Sequence, residues 1–232
     1  MGFVTVYMKN IKEYDSKDLE HLLSMVSPAR REIALRKKDE KDQIRSCVCE
    51  ILLWKGLTER GLDIEELAVS YEEKKPRLYD CFAKVMVEKT GMDPSAMNVG
   101  LDFSFSHSKD YVICGISDLP IGVDVEYLRK NLPLYSDHIF AESEEATVRN
   151  APNPSEEFLR YWTCKESYIK CAYPKEENLR SVTLDMHHLP YAIIEDDKRK
   201  EYYFETHSLN DEYQWALCVK TRENFLLNIV EL

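Results

Sequence analysis

Ile121-Gly122-Val123-Asp124-Val125-Glu126 is the stretch from which the rest of the chain can be read. Branched apolar residues alternating with acids predict a strand. Side chains two apart on a strand share a face, so Asp124 and Glu126 point one way and Val123 and Val125 point the other way, into a core. Two carboxylates side by side raise each other's pKa unless a cation sits between them. Oxygen ligands of this kind suit a hard divalent ion such as Mg²⁺. The same hexapeptide also fits a half-exposed edge strand with two solvated acids.

A second stretch, Phe158-Leu159-Arg160-Tyr161-Trp162-Thr163-Cys164-Lys165-Glu166-Ser167-Tyr168-Ile169-Lys170, has the spacing of a helix with one apolar face. Glu166 follows Trp162 by four residues and precedes Lys170 by four, so the three line up along one stripe. Taken alone, Glu166 and Lys170 also read as an ordinary ion pair on an amphipathic helix, worth a few tenths of a kcal/mol at most.

The order of the two stretches is itself informative. A glycine-led D-x-E strand precedes W-x-x-K-E-S-x-x-K, and upstream of both lies Phe103-Ser104-Phe105-Ser106-His107-Ser108-Lys109-Asp110-Tyr111-Val112. Together these resemble the 4′-phosphopantetheinyl transferases of the long, surfactin-synthetase-activating type. Those enzymes carry F-N-[IL]-S-H-S-x-x-x-[VI], then G-[IV]-D-[IV]-E, then W-[ST]-x-K-E-[SA]-x-x-K. The resemblance implies transfer of the 4′-phosphopantetheine group from coenzyme A to a serine of an apo acyl or peptidyl carrier protein, with adenosine 3′,5′-bisphosphate released. It further implies an α+β fold of two similar α/β lobes packed face to face. The N-terminal lobe would span 1–118, and the lobe carrying the metal site would span 119–232.

Residue by residue, the resemblance places Asp124, Glu126 and Glu166 on Mg²⁺, with Mn²⁺ as a substitute. Lys165 and Lys170 fall on the catalytic helix, and Lys170 is the better placed to stabilise the leaving group. Arg30 follows Ser27-Pro28, Arg45 lies in the next helix, and Lys75 precedes Pro76. With Ser106, His107 and Lys170, these would hold coenzyme A. Ile33 stands where relatives often carry a second basic residue, and Lys74 stands where they commonly have glycine. Phe140-Ala141-Glu142-Ser143-Glu144 resembles F-[SA]-x-x-E, which makes Glu144 a candidate acceptor of the serine proton. Its neighbours Glu142 and Glu145 equally suggest a solvated acidic helix face.

Other segments read from local signals. Asp18 to Met25 predicts a short helix. Ser27 caps a further helical region from Ala29 to Leu57, with Pro28 at its first position and a break near Lys38-Asp39. Ala68 to Tyr71 predicts a strand. Phe82 to Glu88 predicts an added helix within the segment Cys81 to Asn98. Ser106-His107-Ser108 is expected at the junction between two strands. Asp137 to Arg149 predicts helical stretches. Ser181 to Leu184, Tyr191 to Ile194, Glu201 to Thr206, Tyr213 to Lys220 and Phe225 to Val230 predict strands. The mixture is α+β rather than regular βαβ units.

Composition narrows the function classes. The 232 residues are 44% hydrophobic and 31% charged, in the range of a globular protein. A formal net charge of −11 disfavours nonspecific nucleic-acid binding, although a phosphate site needs only local positive charge. No apolar run is long enough for a membrane span, and Met1 to Tyr7 lacks the pattern of a secretory signal. Seven cysteines, an odd number, point to free thiols in a reducing cytoplasm. Cys164 reads as a packing residue rather than a nucleophile. Composition thus points to a cytoplasmic protein, and the resemblance implies a monomer that uses coenzyme A and an apo carrier protein. Two alternatives remain open at this stage: a Mg²⁺-dependent phosphohydrolase and a nonenzymatic coenzyme A-binding regulator.

Overall fold

The computed structural model describes residues 1–71, 75–81, 85, 89, 99–129, 139–172, 179–190 and 201–232. Strand β1 (Gly2–Asn10) is followed by helices α1 (Ser16–Ser24), α2 (Pro28–Leu35) and α3 (Glu40–Glu59). Local chemistry sets each helix start. Asp15 and Asp18 form a reciprocal capping box at α1. Ser27 Oγ accepts the Arg30 N–H at 3.2 Å, with Pro28 in the first turn of α2. The break expected near Lys38-Asp39 is the N-cap of α3, where Asp39 accepts the Asp42 N–H at 3.1 Å.

A short hairpin, β2 (Leu67–Ser70) and β3 (Arg77–Asp80), leads to β4 (Asp102–Ser108), β5 (Tyr111–Ser117) and β6 (Ile121–Tyr127). Helices α4 (Glu142–Asn150) and α5 (Pro154–Ala172) follow, then β7 (Tyr202–Leu209), β8 (Tyr213–Lys220) and β9 (Phe225–Glu231). Ser181 to Leu184 is not the expected strand. The 3₁₀ turns Leu179–Ser181 and Met186–His188 occupy this region. Tyr191 to Ile194 and the proposed helix at Phe82 to Glu88, apart from Val85, lie outside the described residues.

The strands form a sheet of order β4-β5-β1-β9, a sheet of order β6-β8-β7 and the β2-β3 hairpin. Alternation sorts the side chains into layers. Tyr7, Val112, Cys114 and Ile116 pack on Ile44, Val48, Leu52 and Leu57 of α3. The opposite face of that sheet, through Val4, Val6, Met8 and Ile113, meets Val123, Val125, Trp215 and Leu217 of the second sheet. The outer face of the second sheet, through Phe204, Ala216 and Cys218, carries Phe158, Tyr161, Cys164 and Tyr168 of α5. The order of layers is thus helix, sheet, sheet, helix. Val123 and Val125 are fully buried between the sheets, and burial of each contributes on the order of 1.5–3 kcal/mol. The last strand crosses the expected lobe boundary: β9 pairs in parallel with β1, so residues 225–231 complete the first sheet rather than the second.

The two sheets are also joined by side chains. Asp102 Oδ2 and the Oγ atoms of Ser104, Ser106 and Ser108 accept the N–H groups of Ile121, Val123, Val125 and Tyr127 at 2.8, 3.1, 3.3 and 3.0 Å. Four alternate residues of β4 thereby satisfy the edge of β6 that β8 leaves unpaired. Without them those N–H groups would be buried donors lacking acceptors. The Ser106-His107-Ser108 block forms the last three residues of β4, at its junction with β5. The turn follows at once at Lys109, whose φ is +50°.

Candidate active site

Gly122 explains why the acidic strand and the lysine-bearing helix meet. A Cβ at this position would stand 1.9 Å from the backbone oxygen of Ser167. Only glycine lets α5 lie this close to β6. Glu166 and Lys170, one helical turn apart, then project beside Asp124 into a cleft of ≈ 500 Å³ that Arg30, Lys75, Ser106, His107, Glu126 and Trp162 also line. The stripe of Trp162, Glu166 and Lys170 expected from i,i+4 spacing is thus a wall of the cleft.

Asp124 is the centre of the polar contacts. Its Oδ1 accepts from Ser106 Oγ at 2.7 Å and from Lys170 Nζ at 2.6 Å. Its Oδ2 is buried and has no hydrogen-bond partner among the described residues. Glu126 Oε2 accepts from Ser108 Oγ at 2.8 Å. Burial first, and the Asp124 charge second, hold the carboxyls of Glu126 and Glu166 above the usual carboxylate range. An array of acids that destabilise one another's charge, with one orphaned oxygen, has the chemistry of a cation site. Among the described residues, no group of three acids, histidines or cysteines is drawn together tightly enough to count as a formed metal centre.

The basic residues differ in how they are engaged. Arg30 is bracketed by Tyr71 and Phe105, whose ring centroids lie 4.9 and 5.0 Å from its guanidinium carbon. Lys75 Nζ binds Asp102 and donates to the Ile121 carbonyl at 2.8 Å, so its ammonium is anchored at the base of the side-chain ladder. His107 faces solvent within the cleft while protein atoms crowd around it. Burial and the nearby cations Arg45 and Lys37 push its pKa down to about 4. Because the ring retains solvent access, the cationic neighbours are the firmer cause, and the imidazole is neutral at pH 7. Lys37 also lines the cleft, one turn after Ile33 on the α2 side.

Three expected site residues are placed elsewhere. Arg45 is absent from the cleft lining. Its guanidinium binds Asp42 at 2.5 and 3.1 Å and the Lys109 carbonyl at 2.6 Å. Lys165 and Glu144 form a buried pair at 2.5 Å, 0% and 1% exposed. Lys165 Nζ also donates to the carbonyls of Ile139 and Leu179, and Glu144 accepts the N–H groups of Ala141 and Leu184. Both groups are thus turned into the core, and the structure does not bring Glu144 and Lys165 to the cleft. Helical periodicity carried the signal for Lys165. It lies one residue, about 100°, from Glu166 and so faces the core when Glu166 faces the cleft.

Sequence reasoning missed Tyr71 and Phe105, which bracket Arg30, and Glu50, which binds Ser27 and Tyr71. A second hollow, ≈ 390 Å³, lies between α2 and the β2-β3 hairpin. Its charged lining residues Glu32 and Arg36 pair with each other, so the chemistry is placed in the first cleft.

A family model described as the 4′-phosphopantetheinyl transferase superfamily matches residues 120–230, the span that carries Asp124, Glu126, Glu166 and Lys170. The similarity is thus to the 4′-phosphopantetheinyl transferases. The 4′-phosphopantetheinyl transferase Sfp of Bacillus subtilis is 25% identical over 94% of this chain and 92% of its own length. The 4′-phosphopantetheinyl transferase gsp of Aneurinibacillus migulanus is 24% identical over 92% of this chain and 84% of its own. The 4′-phosphopantetheinyl transferase HetI of a Nostoc species reaches 34%, over 47% of this chain and 43% of its own. The matches to the first two extend the similarity across the N-terminal residues, including Arg30 and Lys75.

Proposed function

We propose that the cleft transfers 4′-phosphopantetheine from coenzyme A to a serine hydroxyl of an apo carrier protein. The single observation that supports this most is the convergence of Asp124, Glu126, Glu166 and Lys170 with Arg30, Lys75 and His107 along one cleft. In the reaction, the serine oxygen forms a bond to the pantetheine-side phosphorus of the pyrophosphate. The bond from that phosphorus to the bridging oxygen breaks, adenosine 3′,5′-bisphosphate leaves with the electron pair, and the serine proton is released to water. Such transfers depend on positioning and charge neutralisation more than on covalent help from the protein.

The donor set fits Mg²⁺, and the buried, unpartnered Asp124 Oδ2 is the feature that supports the fit. Asp124, Glu126 and Glu166 would hold the ion, which when bound neutralises pyrophosphate charge. Lys170, already at Asp124, is placed to meet charge developing on the leaving phosphate. Arg30 and Lys75 supply positive charge for the phosphates of coenzyme A. Neutral His107 offers an uncharged N–H donor from the cleft wall. Arg45 serves from outside the cleft by anchoring the Lys109 turn that follows β4.

We read residues 1–118 and 119–232 as two lobes, each a sheet with a helix on its outer face, with β9 returned to the first. The seven free cysteines, six of them buried, support a reducing, cytoplasmic setting. Among the described residues no helix is long and apolar enough to cross a membrane. The expectation of a monomer rests on the resemblance alone. Incubation with coenzyme A, Mg²⁺ and a panel of apo carriers, followed by intact mass, tests the proposal. Mass added to a carrier supports transfer, whereas phosphate release without added mass would indicate hydrolysis.

A further inference from the structure

We propose that Glu50 is the positioning residue for Arg30, fixing the bracket that presents its guanidinium to a phosphate of coenzyme A. The inference rests on the reading of Arg30 as a phosphate ligand. Glu50 is in the middle of α3 and is 0% exposed. A carboxylate taken out of water is tolerated only when its oxygens are well satisfied. Three donors meet it, all from other segments. The Ser27 N–H reaches Oε2 at 2.7 Å, Ser27 Oγ reaches Oε1 at 2.9 Å, and the Tyr71 hydroxyl reaches Oε1 at 2.6 Å.

Each partner controls Arg30 from a different side. Ser27 caps α2, and its Oγ in turn accepts the Arg30 N–H, so Glu50 fixes the backbone from which Arg30 projects. Tyr71 supplies one face of the bracket, with Phe105 as the other. Burial pushes the Tyr71 phenol far up, so its hydroxyl remains a donor to Glu50. Arg30 itself is 8% exposed, and its Nε is buried with no hydrogen-bond partner among the described residues. Ring faces therefore hold this guanidinium in place and leave N–H capacity unspent. Arg45 is the contrast, because a carboxylate and a carbonyl occupy its donors.

Glutamine cannot replace Glu50 without loss. Three donors converge on two oxygens, and an amide would set its own NH₂ group against one of them. The experiment measures kcat and KM for coenzyme A in transfer to an apo carrier, with thermal unfolding alongside, for Arg30→Ala, Glu50→Gln, Tyr71→Phe and the Arg30→Ala double variants. Glu50→Gln should raise KM about tenfold with kcat within about twofold of the parent, the split expected when binding alone is lost. Tyr71→Phe keeps the ring and removes one donor, and it should raise KM about threefold. In the Arg30→Ala background neither change should raise KM further, because the group they position is gone.

A KM rise in Arg30→Ala that is not reproduced by Glu50→Gln would overturn the positioning role and leave the phosphate reading intact. Multiplying KM effects in the double variants would overturn it as well. An unchanged KM in Arg30→Ala would remove the phosphate reading and the inference with it. If Glu50→Gln does not fold, the Tyr71→Phe pair decides by the same criteria.

Discussion

The backbone oxygen of Ser167 lies where a side chain on Gly122 would have to be, 1.9 Å from the position of a Cβ. This contact sets the distance between the acidic strand and α5, and hence between Asp124 and Lys170. The first prediction follows from it. Gly122→Ala cannot be absorbed by a rotamer change, because the obstacle is backbone, so the helix has to shift. Overpacking of this kind costs about 1–3 kcal/mol or more. Thermal unfolding should report that loss, and transfer activity per folded molecule should fall because Glu166 and Lys170 move with the helix. A variant with the stability and activity of the parent would show that α5 does not depend on this contact.

Ser104 and Ser106 occupy equivalent rungs of the ladder but differ in one bond. Both accept an N–H of β6, and Ser106 also donates to Asp124. Ser104→Ala should cost about 1–3 kcal/mol, the penalty for a buried donor left unsatisfied, with little change in kcat. Ser106→Ala should show a similar loss of stability and a clear drop in kcat, because Asp124 loses a partner that fixes its carboxylate. Urea denaturation and steady-state transfer kinetics separate the two effects. Equal kcat losses in both variants would mean that the ladder acts only through the strand.

Asp124 combines a bonded oxygen with an orphaned one. Asp124→Asn should leave the far-ultraviolet circular dichroism unchanged while nearly abolishing transfer. Chelation of divalent ions should silence the parent enzyme, and added Mg²⁺ should restore it. Binding of Mn²⁺, followed by electron paramagnetic resonance in the absence of substrates, should weaken in the variant. Parent-like Mn²⁺ binding would remove Asp124 from the metal ligands.

Glu144 is expected to matter for stability and not for proton transfer. Glu144→Gln leaves the fully buried Lys165 ammonium without its counter-charge. Breaking a buried pair from one side costs about 3–5 kcal/mol, read as a lower urea midpoint. Activity per folded molecule should stay near that of the parent. A kcat reduced a hundredfold or more at unchanged stability would reinstate Glu144 as the base.

The cations beside His107 bear on pH. Its folded value is about 4 against an ordinary 6.5, so between those limits the unfolded chain binds more protons than the folded one. Stability should therefore rise with pH from about 4 to about 6.5 and gain nothing further from this group above that range. Solvent access in the cleft makes the contribution small. His107→Gln should flatten that part of the stability–pH curve, measured as the difference in urea midpoint between the two proteins. An unchanged slope would mean that His107 titrates at its ordinary value.

Local periodicity settled much of this protein before any folding was considered. The i,i+2 rule placed Val123 and Val125 in the core and Asp124 and Glu126 on the opposite face, and Gly122, two residues before Asp124, lies on that same face against α5. The i,i+4 rule put Trp162, Glu166 and Lys170 on one stripe, and Ser27-Pro28 marked the start of α2. Such features depend on neighbours within a turn or a pleat, so residue order alone carries them. Tertiary structure decided which charges meet. Lys165 found Glu144, 21 residues away, in a dry interior, and Arg45 spent its guanidinium on Asp42 and the Lys109 carbonyl. Glu50 gathered Ser27 and Tyr71 around Arg30 from separations of 23 and 21 residues. The serines of β4, which local sequence reads only as part of a strand and its end, became the hydrogen-bond partners of a strand in the other sheet. A polar side chain's partner depends on which distant segment packing brings within about 3 Å and on whether water is excluded there, and no spacing along the chain specifies either.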